Sequence, residues 1–331
     1  MKKSLILLSS ILISSTLLLS CNKNNNMEKL SIVLAEVNPE TSICGRMDQA
    51  FKSKVEQLSK GKISVNIQYS GVLGNESQII ELMKAEESSV QVARVSANLT
   101  QYGGKKSGLI TIPYTFANAE HFWKFAKSDI AKEILNEPYE MELGVKGLCY
   151  AQEGFRNFFS TTKIETVQDM KNLHMRVSGK ILPEICDSVK AIKEEIPFTD
   201  LYAALQTGTV DVADQPVSNY LSNSFYKVAP YMIMDGHMIG AVQILVSSTF
   251  WDSLSDEQKE ILQSAADYAS EYCRLISEEE ESKALEIMKN EGAEFTEVEN
   301  SEEWQNTCKS IIESGSKEFP DIYKEIISLA K

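Results

Sequence analysis

Leu30-Ser31-Ile32-Val33-Leu34-Ala35 and, further on, Ile63-Ser64-Val65-Asn66-Ile67 are the two runs on which the fold turns. The first is almost continuously apolar, as in a strand covered on both faces; the second alternates with the period of a strand. Between them Asn38-Pro39 breaks the first run. Apolar residues then recur at Ala50, Phe51, Val55 and Leu58 at helical spacing, and Gly61 ends the helix. Strand, helix and strand in that order predict a parallel β-α-β unit, because a parallel pair needs a crossover of this length.

The alternation continues outward. Ser70 to Gly74 reads as a loop, Ile79, Ile80, Leu82 and Met83 as a helix face, and Val90 to Ala93 as a strand. Ile110 to Tyr114 is expected to be extended, Ala117 to Leu135 helical and Val145 to Tyr150 a strand. Further along, Thr166 is positioned to cap a helix through Met170 that stops at Asn172, a residue tolerant of left-handed backbone. Leu173 to Val177 reads as a strand and Ile181 to Ile192 as a helix. Thr199 is expected to cap a helix through Leu201, Ala204 and Leu205, closed by Gly208; Val210 to Ala213 is the next strand. Ser255-Asp256-Glu257-Gln258 has the pattern of a capping box. It opens a long helix whose apolar stripe runs Ile261, Leu262, Ala265, Tyr268, Ala269, Tyr272, Leu275 and Ile276, and on to Met288. The acidic run Glu278–Glu281 within it reads as a solvated face. Two α/β modules result, and ligands bind such sheets beyond the carboxyl ends of their strands. Two sheets facing each other would make a cleft.

Composition narrows the class. At 331 residues, two domains are expected. With 43% hydrophobic and 24% charged residues the chain is neither a multi-span membrane protein nor disordered. A net charge of −14 disfavours nucleic acid, which rewards Lys and Arg. At the N-terminus Lys2 and Lys3 precede an apolar run from Leu5 to Leu19, short for a spanning helix. The run ends Leu18-Leu19-Ser20-Cys21 and resembles a bacterial lipobox, which implies a signal peptide over 1–20 and acylation of Cys21. An ordinary signal peptide or an uncleaved anchor are the alternatives. Residues 21–27 are Asn-rich and have nothing to bury, so they read as a tether. Five further cysteines, Cys44, Cys149, Cys186, Cys273 and Cys308, are widely spaced with no Cys-x-x-Cys pair. They read as free thiols, or as free thiols with one disulfide.

Enzyme signatures are missing. His121, His174 and His237 do not pair at metal-ligand spacing, and there is no nucleophile elbow, zinc motif or phosphate loop. Two arginines stand at strand ends, where an α/β sheet presents its ligand face: Arg156 after Glu153-Gly154-Phe155, and Arg176 after Leu173-His174-Met175. An arginine in such a place either braces a local acid or offers a planar fork to a ligand carboxylate.

The stretch Gly154 to Gln215 resembles the solute-binding proteins of TRAP transporters, the dicarboxylate-type family. Gly154-Phe155-Arg156 resembles its Gly-x-Arg; Asp169-Met170-Lys171-Asn172 and Met175-Arg176-Val177-Ser178 resemble its Asp-hydrophobic-Lys-Gly and hydrophobic-Arg-Val-Pro. Pro197-Phe198-Thr199-Asp200 through Ala204-Leu205-Gln206-Thr207-Gly208, and then Val210-Asp211 through Asp214-Gln215-Pro216, continue the likeness. Outside this core, Leu73-Gly74-Asn75-Glu76, Pro113-Tyr114-Thr115-Phe116 with Glu120-His121, and Trp251 to Gln258 extend it over the mature chain. Gln215 stands where the family has a ligand-binding Asn, and Ser96 near where some relatives place a Glu.

The resemblance implies an α/β periplasmic-binding-protein fold: two lobes, a ligand cleft between them and a long helix spanning both. The lobes are expected over 28–153 with 241–280, and 154–240 with 281–331. It implies that Arg176 pairs with a carboxylate, with Arg156, Gln215, Phe198 and Ser96 completing the site. It implies no catalysis, cofactor or metal, a small organic acid as ligand, and a TRAP-type membrane permease as partner. The place implied is the periplasm or the extracytoplasmic face of a bacterial membrane, held there through a lipid on Cys21. A binding protein that serves a sensor or chemoreceptor, or an exported enzyme, are the competing readings.

Overall fold

The computed structural model describes residues 27–331, so Cys21, the expected signal peptide before it and the expected tether up to residue 26 lie outside the described residues. Among the described residues nine strands form one sheet: β1 Leu30–Ala35, β2 Ile63–Gln68, β3 Val92–Ser96, β4 Val145–Ser160, β5 His174–Val177, β6 Ile192–Glu195, β7 Val212–Pro216, β8 Tyr231–Ser247 and β9 Glu294–Glu297. Their order is β2-β1-β3-β8-β4-β7-β5-β6, with β9 beside β8. The first β-α-β unit is parallel as expected, Leu30 facing Ile63 and Ala35 facing Gln68.

The two parallel modules, β2-β1-β3 and β7-β5-β6, are not separate sheets. The antiparallel pair β4 and β8, 16 and 17 residues long, joins them. At about 3.3 Å per residue each strand runs roughly 50 Å, far enough to serve two cores. One core holds Ile32, Leu34, Phe51, Val65, Phe122, Tyr150 and Ile244. On the other side Phe158, Met175, Val177, Ile185 and Val212 pack together, beside Phe159, Leu205, Tyr220 and Phe225. Midway the β4–β8 register shifts between Gln152 and Phe155. Gly154 there has φ +111°, and a Cβ on Gly240 would lie 2.9 Å from the Gly154 carbonyl oxygen. Two glycines therefore let the strands cross closely at the bulge between the cores.

The helix Asp256–Asn290 bridges the same divide. Ser255 Oγ accepts from Gln258 N and the Gln258 side chain accepts from Ser255 N, closing the expected capping box. Its Ala265 and Ala269 pack in the first core, its Ala284 and Met288 in the second. The last helix, Pro320–Ser328, returns to the first core through Ile326, whose carbonyl lies 2.7 Å from His121 Nε2. All five cysteines of the described residues are free and buried.

Several local expectations are corrected. Leu109 and Ile110 belong to a 3-10 helix, Lys106–Thr111, because a short apolar run is read equally well by a buried helix. The helix expected over Ala117 to Leu135 is two, Ala119–Ala126 and Asp129–Glu140, since Ser128 Oγ accepts from Ala131 N and starts a second one. The Ile181 helix ends at Ser188, Lys190 turns left-handed, and Ile192 onward is the polar edge strand β6. Thr199 does not cap; the helix Leu201–Gln206 grows from a 3-10 turn, Phe198–Asp200. Glu281 departs from the solvated face: the residue is half-buried, and its Oε1 turns inward over Gly154, buried without a hydrogen-bond partner among the described residues. Burial, then the charge of Glu153, pushes its carboxyl up to about 8.

Candidate interlobe carboxylate site

The carboxyl ends of β1, β3, β5 and β7 converge on a cavity of about 430 Å³ between the two cores. Arg176, Arg156, Gln215, Phe198 and Ser96 all line it. The sheet accounts for three of them: β4 and β7 are neighbours with Asn157 opposite Gln215, and β7 borders β5, which ends in Arg176 and Val177. Ser96 ends β3 on the opposite wall. Phe198 is half-buried, packs against both walls and meets Phe225 edge-on at 5.9 Å. The lips touch, with Asn223 Nδ2 donating to Asn38 Oδ1 at 3.3 Å. An open depression of about 480 Å³ beside Gln168 and Asn300 is lined by neutral side chains, Glu302 and Glu303, with no cation among them.

Arg176 is 7% exposed. Its Nε donates to the Ile196 carbonyl at 3.0 Å, and no carboxylate of the described residues lies within 4.0 Å of its guanidinium. Burial and the neighbouring Arg156 charge lower its pKa to about 10, against the pull of Asp214 and Glu76. A guanidinium kept from water without an acid partner is the electrostatic complement of an anion.

Arg156 differs from expectation on two points. It lies inside β4 rather than after a strand, and it is already braced by Asp214: Nε donates to Oδ2 and Nη2 to the backbone oxygen at 2.7 Å. Burial opposes the charge on Asp214, but Arg156 and His237 outweigh it and hold the carboxyl well below the usual range. His237 completes this clamp, with Nδ1 2.7 Å from Asp235 and Nε2 3.4 Å from Asp214, its ring stacked on Phe158 at 4.2 Å. Burial disfavours the imidazolium, yet the two aspartates raise its pKa to about 9.

Because folding raises the His237 pKa, its contribution to stability is complete below about 6.5 and is lost as pH rises through about 9. Melting curves of the His237→Gln protein should therefore decline less steeply than wild type between neutral pH and about 9. Identical slopes would show that His237 carries no proton in that window.

The opposite wall was not read from the sequence as a charged network. Arg94, 2% exposed, is gripped by Glu36 at two nitrogens, Nε to Oε2 at 2.5 Å. Its Nη1 lies 4.0 Å from Glu76 and 3.8 Å from Glu153. Glu76 accepts from Ser96 N and Oγ, each at 2.8 Å. The sequence signal was a lone arginine inside an apolar strand, Val92-Ala93-Arg94-Val95.

Residues 34–318 match the family described as bacterial extracellular solute-binding protein, family 7. Among curated relatives, the C4-dicarboxylate-binding periplasmic protein DctP of Rhodobacter capsulatus is 27% identical over 273 residues, 82% of this chain and 80% of that one. A TRAP periplasmic solute-binding protein of Pseudomonas putida F1, solved with bound D-glucuronate, is similar with a TM-score of 0.85 at 24% identity, over 89% of this chain and 96% of that one. One from Shewanella oneidensis, with bound succinate, gives 0.86 at 21% identity over 92% and 100%. These likenesses establish a shared fold.

Proposed function

Because this chain belongs to family 7 of the bacterial extracellular solute-binding proteins, we propose that it captures a small organic acid between its lobes and delivers it to a TRAP-type membrane permease. Its family is one of solute-binding proteins, not of enzymes. The observation that carries the reading of the ligand is Arg176, a buried guanidinium that lines the interlobe cavity with no carboxylate partner among the described residues. The acid bridges Arg176 and Gln215 on one wall to the Ser96 wall and packs against Phe198. Binding both walls at once stabilises the closed form over the open one.

The lobes in this reading are 28–153 with 241–280, and 154–240 with 281–331, except that the final helix, Pro320–Ser328, packs on the first lobe's core and goes with it. The glycine crossing at Gly154 and Gly240 supports the boundaries at 153/154 and 240/241. A lipid on Cys21, with the short tether, holds the protein at the outer face of the membrane; two acyl chains anchor stably where one binds only marginally.

A panel of organic acids tests the function. An acid that binds only the folded state adds about 2.7 kcal/mol at a hundredfold excess over Kd. The expected result is a raised Tm, a smaller radius in small-angle scattering and recovery of the acid unchanged. No shift across the panel, or a chemically altered product, would overturn it. On the same preparation the mature N-terminal peptide should carry a lipidated Cys21; an unmodified terminus beyond Cys21 would remove the anchor.

A further inference from the structure

Resting on the organic-acid reading, we propose that the solute carries one carboxylate, held at Arg176, and hydrogen-bond donors in place of a second carboxylate at its other end. The donors are hydroxyl or ammonium groups, and they face Glu76 and Glu153.

The argument is a balance of charge across the cavity. On the Arg176 wall, Arg156 and Asp214 neutralise each other, which leaves the Arg176 guanidinium for the ligand. On the opposite wall one cation, Arg94, faces three carboxylates, Glu36, Glu76 and Glu153. Glu36 takes two of the Arg94 nitrogens, and Arg94 is sealed at 2% exposure, so little of its charge remains for a ligand. Glu76 and Glu153 both line the cavity.

Their hydrogen bonding points the same way. Each Glu76 oxygen accepts one bond from Ser96, and a carboxylate oxygen can accept about two. Glu153 is 5% exposed, and among the described residues its carboxyl is hydrogen-bonded by the Cys44 thiol, a weak donor, with its nearest cation, Arg94 Nη1, at 3.8 Å. Burial pushes the Glu153 carboxyl up, and Arg94 and Arg156 pull it back. A thiol is a weak donor, so this buried carboxyl keeps acceptor capacity for stronger ones. A hydroxyl or ammonium supplies them, whereas a second ligand carboxylate supplies none and adds like charge to two acids.

Three matched pairs, differing only at the far end, test this by titration calorimetry: D-gluconate against D-glucarate, 6-aminohexanoate against adipate, and 4-hydroxybutyrate against succinate. The donor-ended member should bind roughly 30-fold or more tighter than its diacid in at least one pair, as like-charge juxtaposition requires. In the Glu76→Gln, Glu153→Gln double variant that gap should shrink to about threefold or less. Failure of every pair to reach that gap in wild type overturns the proposal. So does a gap unchanged in the double variant, which would trace selectivity to shape. If none of the six acids binds, the proposal falls, and the broad panel then shows whether the organic-acid reading falls with it. Circular dichroism and a melting curve on the double variant separate loss of selectivity from loss of fold.

Discussion

Replacing Arg176 by alanine is expected to weaken binding of the acid by about 100-fold or more while leaving the free protein as stable as before, or more so. A charge-assisted hydrogen bond contributes about 1.5–3 kcal/mol, a bidentate pair makes two, and each 1.4 kcal/mol is tenfold in Kd. The stability half of the expectation comes from the missing partner. Arg176 is 7% exposed and among the described residues is bonded only to the Ile196 carbonyl, so its charge costs the free protein free energy that a ligand carboxylate offsets. An arginine that braced a protein acid would behave oppositely, losing stability and affinity together. Arg176→Met should raise Tm without ligand and abolish the ligand-induced shift. Arg176→Lys should recover binding only in part, since an ammonium cannot present a planar fork. Near-wild-type affinity in a folded Arg176→Ala protein would remove this residue from the site.

The second large effect is on stability and comes from the other wall. Glu36→Ala should lower unfolding free energy by about 3–5 kcal/mol, the usual consequence of breaking a buried ion pair on one side. Glu36 is fully buried, its carboxylate also accepts from Asn38 N at 2.6 Å and Nδ2 at 3.0 Å, and Arg94 would be left with acids no closer than 3.8 Å. The Glu36→Leu, Arg94→Met pair should regain only part of that loss, because replacing both partners removes their desolvation cost with the attraction but takes from buried Glu153 its nearest cation. Urea unfolding measures both. A loss under about 1 kcal/mol for Glu36→Ala would mean that the pair behaves as an exposed one.

Arg156 shows why a site residue can be named correctly and its state missed. Its place among the ligand-facing residues follows from the Gly154-Phe155-Arg156 motif, but its partner Asp214 lies 58 residues away and reaches it only because β4 pairs with β7. His237 escaped for the same reason. Its neighbours Asp235 and Gly236 form a dipeptide that is common in turns. In the structure they form a bulge inside β8, where Asp235 Oδ1 accepts from Phe158 N at 2.9 Å and Asn157 Oδ1 accepts from Gly236 N at 2.9 Å. Side chains thus replace ladder bonds, and a strand of 17 residues passes unbroken through a turn signal. Glu281 was hidden by its neighbours: in an acidic run, local composition cannot tell which carboxyl faces inward over a glycine of another element.

What the sequence determined by itself is what short-range physics controls. Period-2 and period-3.6 patterns placed β1, β2 and the helix between them; the Ser255 capping box set the start of the long helix; Asn172, at φ +64°, marked its left-handed turn. These depend on backbone sterics and on groups within a few residues of one another. Tertiary structure alone decided that two parallel modules share one sheet through β4 and β8, that Arg156 is neutralised while Arg176 is not, and that Arg94 is outnumbered by acids across the cavity. Whether a buried charge is matched depends on which distant strands lie side by side. Desolvation and Coulomb energy then decide what is left for a ligand, and neither can be summed until the walls are assembled.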